Sequence, residues 1–139
     1  MKKIVMFAAL MMMTMMTSLT AFAGKAEREY MKDTVVPAVK AAETAYKSSC
    51  GCALKIVVGA TIKTTDDMSQ ARYIAQSVSE GVAGYCTDDA SKKAVCQMKT
   101  LEISKDKETA FSFKSGKGSA ITDGQSYVSW DMMTREIDK

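Results

Sequence analysis

The chain predicts an α+β fold in one small domain, with helices on one face of a mostly antiparallel four-stranded sheet. Three observations carry that expectation. Apolar residues recur at helical spacing in two long segments, and strict alternation marks several short ones. Four cysteines, Cys50, Cys52, Cys86 and Cys96, occur in a chain of 139 residues whose N-terminus has the form of an export signal. Elements are expected in the order α-β-α-(α)-β-β-β-α, an arrangement that buries one sheet face under the helices.

The N-terminal segment has a composition unlike the remainder of the chain. Lys2 and Lys3 form a short basic region. The run from Ile4 to Met16 carries no charge, and Ala21-Phe22-Ala23 has the small-x-small form of a signal peptidase site. Residues 1–23 are therefore expected to be a cleavable signal peptide, and residues 24–139 a single domain. This places the mature protein in the periplasm or outside the cell, with no membrane span once the signal is removed. Losing Lys2 and Lys3 from 19 basic residues leaves 17 against 16 acidic ones, a net charge of about +1. A nucleic-acid surface normally needs a marked basic excess, so that partner is not expected.

Within the mature chain, residues 25–48 read as helix. Asp33 or Thr34 can cap a segment with Pro37 in its first turn, where proline is tolerated. If the helix starts near Ala26 instead, Pro37 is expected to kink it. Val35, Val39, Ala42 and Tyr46 form its apolar stripe. Residues 53–63 alternate, with Leu54, Ile56, Val58, Ala60 and Ile62 on one face, and read as a half-buried strand. Thr64 and Asp67 form a capping box ahead of a helix striped by Met68, Ala71, Ala75, Val78, Val82 and Tyr85. Gly81 and Gly84 near its end suggest fraying or a close approach of backbones. Asp88 or Asp89 can cap a short helix to Val95. Leu101 with Ile103, Phe111 with Phe113, and residues 119–122 mark three more strands. A hairpin turn is expected at Gly116-Lys117-Gly118. Ser126 or Ser129 then precedes a terminal helix on which Trp130, Met133 and Ile137 share a face.

The cysteines are the most informative residues. An even count in a short exported chain favours disulfides, and the topology brings all four to one pole. A Cys50–Cys52 bridge across one residue would be strained. If residues 89–95 are helical, Cys86 and Cys96 are too far apart to join, since bridged α-carbons lie about 4.4–6.8 Å apart. Crossed pairing remains: Cys52–Cys86 with Cys50–Cys96 is preferred over Cys50–Cys86 with Cys52–Cys96. A four-thiolate zinc site is disfavoured by the spacing. A redox role for Cys50-Gly51-Cys52 lacks the strand-to-helix setting of a Cys-x-x-Cys motif.

The chain contains no histidine, which removes the usual serine and cysteine triads and most hydrolytic metal sites. No nucleotide-binding glycine loop occurs, so no catalytic, cofactor or metal residue is assigned. Asp66-Asp67 and Asp88-Asp89 could serve a carboxylate-based hydrolase, but caps and turns account for them more simply. Tyr127 and Trp130, beside Met132 and Met133, are the candidate contact with a partner protein. Closing the domain's own core is the competing use of the same side chains, and it carries more weight. The functional expectation is an exported, non-enzymatic binding module of the inhibitor or immunity type, acting on another protein through its surface. The alternative is a periplasmic thiol–disulfide or metal-handling protein using Cys50 and Cys52.

Overall fold

The computed structural model describes residues 24–139; the expected signal peptide lies outside the described residues. The first helical stretch comprises α1 (Lys25–Tyr30), a π-helical turn (Met31–Val35) and α2 (Val36–Cys50). Pro37 explains the middle piece. Proline has no N–H to donate, and its ring crowds the carbonyl four residues back. The chain answers with one wide turn, in which the Val36 N–H reaches the Met31 carbonyl. The extra residue lets the helix run on from Lys25. Met31 and Val35 still face the core with Val39, Ala42, Tyr46 and Cys50. Gly51 ends α2 at φ +80°, a left-handed cap closed by its N–H on the Lys47 carbonyl at 2.9 Å.

Strand β1 (Lys55–Val58) is shorter than the alternation in residues 53–63 predicts. Leu54, Ile56 and Ile62 are buried as expected. The chain leaves the sheet at Gly59, whose N–H makes the last backbone-to-backbone bond to β2, on the Ile103 carbonyl at 2.8 Å. A turn then closes through the Ile62 N–H on the Gly59 carbonyl at 3.1 Å.

Helix α3 (Thr65–Tyr85) begins with both bonds of the capping box between Thr64 and Asp67. Helix α4 (Asp89–Val95) is capped by Asp88, whose carboxylate accepts from the Ser91 N–H at 2.7 Å. After β2 (Thr100–Lys105) and β3 (Ala110–Lys114), the chain reverses at Ser115-Gly116, both at positive φ (52° and 79°). That is the two-residue turn whose twist matches its strands. It falls one residue earlier than expected, so Lys117 and Gly118 belong to β4 (Lys117–Thr122). Helix α5 (Trp130–Ile137) is capped by Ser129.

The sheet order is β1-β2-β4-β3. β1 pairs with β2 in parallel, β2 with β4 in parallel, and only β3 with β4 antiparallel. The expected mostly antiparallel sheet is therefore corrected to a mixed one, for two physical reasons. First, α3 and α4 form a long crossover that returns the chain to the end where β1 began, so β2 runs parallel to it. Second, β4 slots between β2 and β3 instead of extending a meander. Its inner-face residues Gly118, Ala120 and Thr122 are small and buried, which suits a central position under α3. Phe111 and Phe113 of β3 are larger and half-buried, and take the edge. Gly118 has no room for a side chain: a Cβ there would lie 2.5 Å from Met98 Sδ and 3.1 Å from the Phe111 ring. The connection over residues 106–109 spans two strand spacings, about 10 Å, within reach of four residues.

Ile56, Leu101, Ile103 and Ala120 share the face against the helices and are buried. The other sheet face carries no buried residue. Among the described residues, no helix is long and apolar enough to cross a membrane.

Candidate functional site

The cysteine pole forms where α2 hands over to β1. Cys50 is bonded to Cys86, with α-carbons 5.3 Å apart, and Cys52 to Cys96, at 5.8 Å. The preferred pairing of Cys52 with Cys86 and Cys50 with Cys96 is thus corrected to the other crossed arrangement. Cys50 ends the inner stripe of α2, one turn beyond Tyr46, and so faces the C-terminal end of α3, where Cys86 caps the helix. The left-handed turn at Gly51 then swings Cys52 away towards the end of α4, where Cys96 sits. The four residues do meet at one pole: Cys96 Sγ lies 3.5 Å from the Cys50 carbonyl oxygen. Cys50 and Cys86 are buried, whereas Cys52 and Cys96 are half-buried. No cysteine is free among the described residues.

Tyr46 locks the floor of this pole. Its side chain is fully buried, and its hydroxyl donates to the Val95 carbonyl and lies 3.2 Å from that of Met98. Burial pushes the phenol above its ordinary range.

One member of each acidic pair, Asp67 and Asp88, has a structural duty, and so has Asp123. Asp67 is buried, and burial pushes its carboxyl up. Hydrogen bonds from the Thr64 and Lys63 N–H groups and the 3.2 Å contact with Lys105 Nζ outweigh that penalty, leaving it below its ordinary value. Asp88 is held low chiefly by the Ser91 N–H that it caps. Asp123 is held low by the N–H groups of Gln125 and Ser126, each at 2.8 Å, in the turn after β4. Among the described residues, no group of three or more acidic or cysteine side chains could hold a metal ion.

The aromatic candidates separate. Trp130 is only 6% exposed. It packs edge-on against Tyr85 at 5.9 Å between ring centres, its backbone N–H donates to Ser77 Oγ, and its indole covers Gly81. A Cβ on Gly81 would fall inside the indole, so a close approach accounts for that glycine, and fraying does not. Gly81→Ala is therefore expected to lower stability by about 1–3 kcal/mol despite alanine's better helix propensity, as read from denaturant unfolding. Gly84, with open space around it, should show the opposite sign with the same substitution.

Tyr127 is 43% exposed and sits 5.4 Å, centre to centre, from Tyr73, which is 38% exposed. The Arg72 guanidinium lies 4.7 Å over the Tyr73 ring. Loop 123–129 delivers Tyr127, and α3 delivers Arg72 and Tyr73, so the cluster joins a helix to a distant loop. Sequence reasoning singled out Tyr127 and missed both α3 residues. A signal was available: Tyr73 is a large aromatic off the buried stripe of Met68, Ala71, Ala75 and Val78, on the polar side of its helix.

Comparison with protein families, curated proteins and solved structures finds no match to this chain.

Proposed function

We propose that this protein is an exported, non-enzymatic binding module, of the inhibitor or immunity type, that recognises another protein through Arg72, Tyr73 and Tyr127. Export, and a periplasmic or extracellular site of action, are part of the proposal. One observation carries it. Tyr73 and Tyr127 are the exposed large apolar side chains among the described residues; they come from distant segments to pack ring against ring, with the Arg72 guanidinium over Tyr73. Tyrosine and arginine are enriched where a few residues supply most of a binding energy. Helix α3 holds Arg72 and Tyr73, and the loop carrying Tyr127 is pinned by the bonds of Asp123 and Thr122 to Gln125 and Ser126, which reduces the ordering cost of binding.

The test is capture of partners from extracytoplasmic extract with the immobilised protein, compared with the Tyr73→Ala/Tyr127→Ala variant. Both side chains are exposed, so the variant is expected to fold normally. A stoichiometric protein partner should bind the parent and bind the variant at least tenfold more weakly, the loss of about 1.4 kcal/mol or more typical of such anchors. No stoichiometric partner, or equal capture by the variant, would overturn the reading.

The competing proposal, thiol–disulfide or metal handling at Cys50 and Cys52, draws its support from the half-buried Cys52–Cys96 bridge. Against it, Cys50 and Cys52 are bonded to different partners, and Cys50 and Cys86 are buried.

A further inference from the structure

We infer that β3 is a self-pairing edge, through which two copies of the chain join antiparallel across a two-fold axis centred on Ser112. The two edges of the sheet are finished differently. At β1, the N–H groups of Lys55 and Gly59 point to β2, on the carbonyls of Lys99 and Ile103. Ile56 therefore points outward, and its N–H is taken by the Glu43 carboxylate at 3.2 Å. That edge is blocked by a side chain of α2. At β3 no side chain takes the outward N–H groups among the described residues, and the strand has no proline. Helix α5 packs against β3 and Lys114 closes it, but the outward groups of Phe111 and Phe113 have no partner among the described residues of the chain.

The register identifies which groups β3 offers. Lys114 and Lys117 flank the two-residue turn and form the first pair of the hairpin. The carbonyls of Gly116 and Thr122 accept from the β2 side, from Thr100 and Asp106, so the even-numbered residues of β4 face β2 and the odd-numbered ones face β3. By the alternation of an antiparallel ladder, Ala110, Ser112 and Lys114 bond to β4, while Phe111 and Phe113 turn their N–H and C=O groups to the free edge.

A second copy fits that edge. The strand reads Ala-Phe-Ser-Phe-Lys, nearly symmetric about Ser112. Antiparallel pairing centred there sets Phe111 opposite Phe113 of the second copy, and the reverse, so all four outward groups on each chain are used. A shift of two residues leaves part of them unpaired. Matching the phenylalanines puts aromatic pairs on the inner face, where both are half-buried and have surface left to cover. The ends agree in charge. Asp106, Lys107 and Glu108 precede β3 with a net negative charge, whereas Lys114 closes it. Antiparallel association lays each negative end beside the lysine of the other copy and sets Lys114 opposite Ala110. Within the paired strands no like charges stand opposite each other.

The arrangement is tested by its register. Ser112 would face its own copy at a non-hydrogen-bonded position, where α-carbons are about 4.5 Å apart, within the span of a disulfide. Its side chain is exposed, so substitution leaves the fold alone. Ser112→Cys is expected to give a covalent dimer under mild oxidation, and Ala110→Cys mixed with Lys114→Cys a mixed dimer. Ser119→Cys, one strand further in, should give neither. Sedimentation of the unmodified protein from low micromolar to millimolar concentration should show the mass rising towards two chains. Ser112→Lys, which sets two lysines face to face, should return it to one chain, with the parent's thermal midpoint at low micromolar concentration, where both are single chains, and without the parent's rise in midpoint as concentration increases. A single-chain mass across the whole range would overturn the inference. So would a Ser112→Cys yield no greater than that of Ser119→Cys, or a Ser112→Lys variant that remains dimeric.

Discussion

Replacing Cys50 and Cys86 together by alanine is expected to lower the unfolding free energy by about 3 kcal/mol and leave a folded protein; removing Cys52 and Cys96 as well should cost about 4 kcal/mol more. The unequal steps follow from overlapping loops. Alone, the Cys52–Cys96 bridge closes a loop over a sequence separation of 44. With that bridge in place, the path from Cys50 to Cys86 no longer runs through the intervening 36 positions. It runs two residues to Cys52, across the bridge, and ten residues back from Cys96. The second bridge thus restrains a loop of about 12 residues and contributes correspondingly less. Together the two amount to about 7 kcal/mol, comparable with the whole net stability of a domain of this size. Denaturant titration of the single-bridge and bridge-free variants checks both steps, and the bridge-free chain should be largely unfolded without denaturant.

Tyr46 carries the second large effect. Tyr46→Ala is expected to cost about 3–5 kcal/mol, because it opens a cavity in a fully buried site. Tyr46→Phe keeps the ring and removes only the hydroxyl. It should cost about 1–3 kcal/mol, because the Met98 carbonyl loses that contact while the Val95 carbonyl retains the Met98 N–H at 3.0 Å. The same hydroxyl sets an alkaline limit. Burial holds its folded-state pKa above the ordinary value of 10.0, so the native state keeps the proton longer than the unfolded chain. Its contribution is complete below pH 10 and falls as pH rises beyond it. Tyr85 acts in the same direction, pushed up to about 12 by burial and by its hydrogen bond to Asp138. Stability measured from pH 9 to about 12 should therefore decline, and decline less steeply in Tyr46→Phe.

What could be read from the residues divides along the range of the forces involved. Where a side chain caps the helix its start was legible, because a cap is settled within four residues. The first helix was not, since it starts at Lys25 with no side-chain cap, and Asp33 and Thr34, the expected caps, lie inside the π-helical turn. Thr64 with Asp67, Asp88 with Ser91, and Ser129 with Met132 each make the bond their spacing suggests. The gathering of four cysteines at one pole was legible too, since it follows from helix lengths and chain direction. Their pairing was not. It depends on the sense in which Gly51 turns the chain, and a glycine does not announce its φ. The place of β4 was hidden for a different reason. Short connections on either side of β3 suggest a meander. What decides otherwise is a comparison between distant residues: Gly118 and Ala120 fit beneath α3, and Phe111 and Phe113 fit the edge. Pro37 was noticed, but the remedy was a π-helical turn in the residues before it. The surface cluster was half visible, through Tyr127; Trp130, equally conspicuous in the sequence, closes the core over Gly81.

Both bridges are proposed to be structural, so that function falls to the folded surface and not to sulfur exchange. Mass analysis of the folded, oxidised protein, alkylated across a series of glutathione buffers of increasing reducing strength, tests this directly. The expected result is no alkylation in buffers that open catalytic disulfides, with label entering only in far more reducing ones. Label at Cys52 and Cys96 alone, under buffers that open catalytic disulfides and with the fold retained, would contradict it.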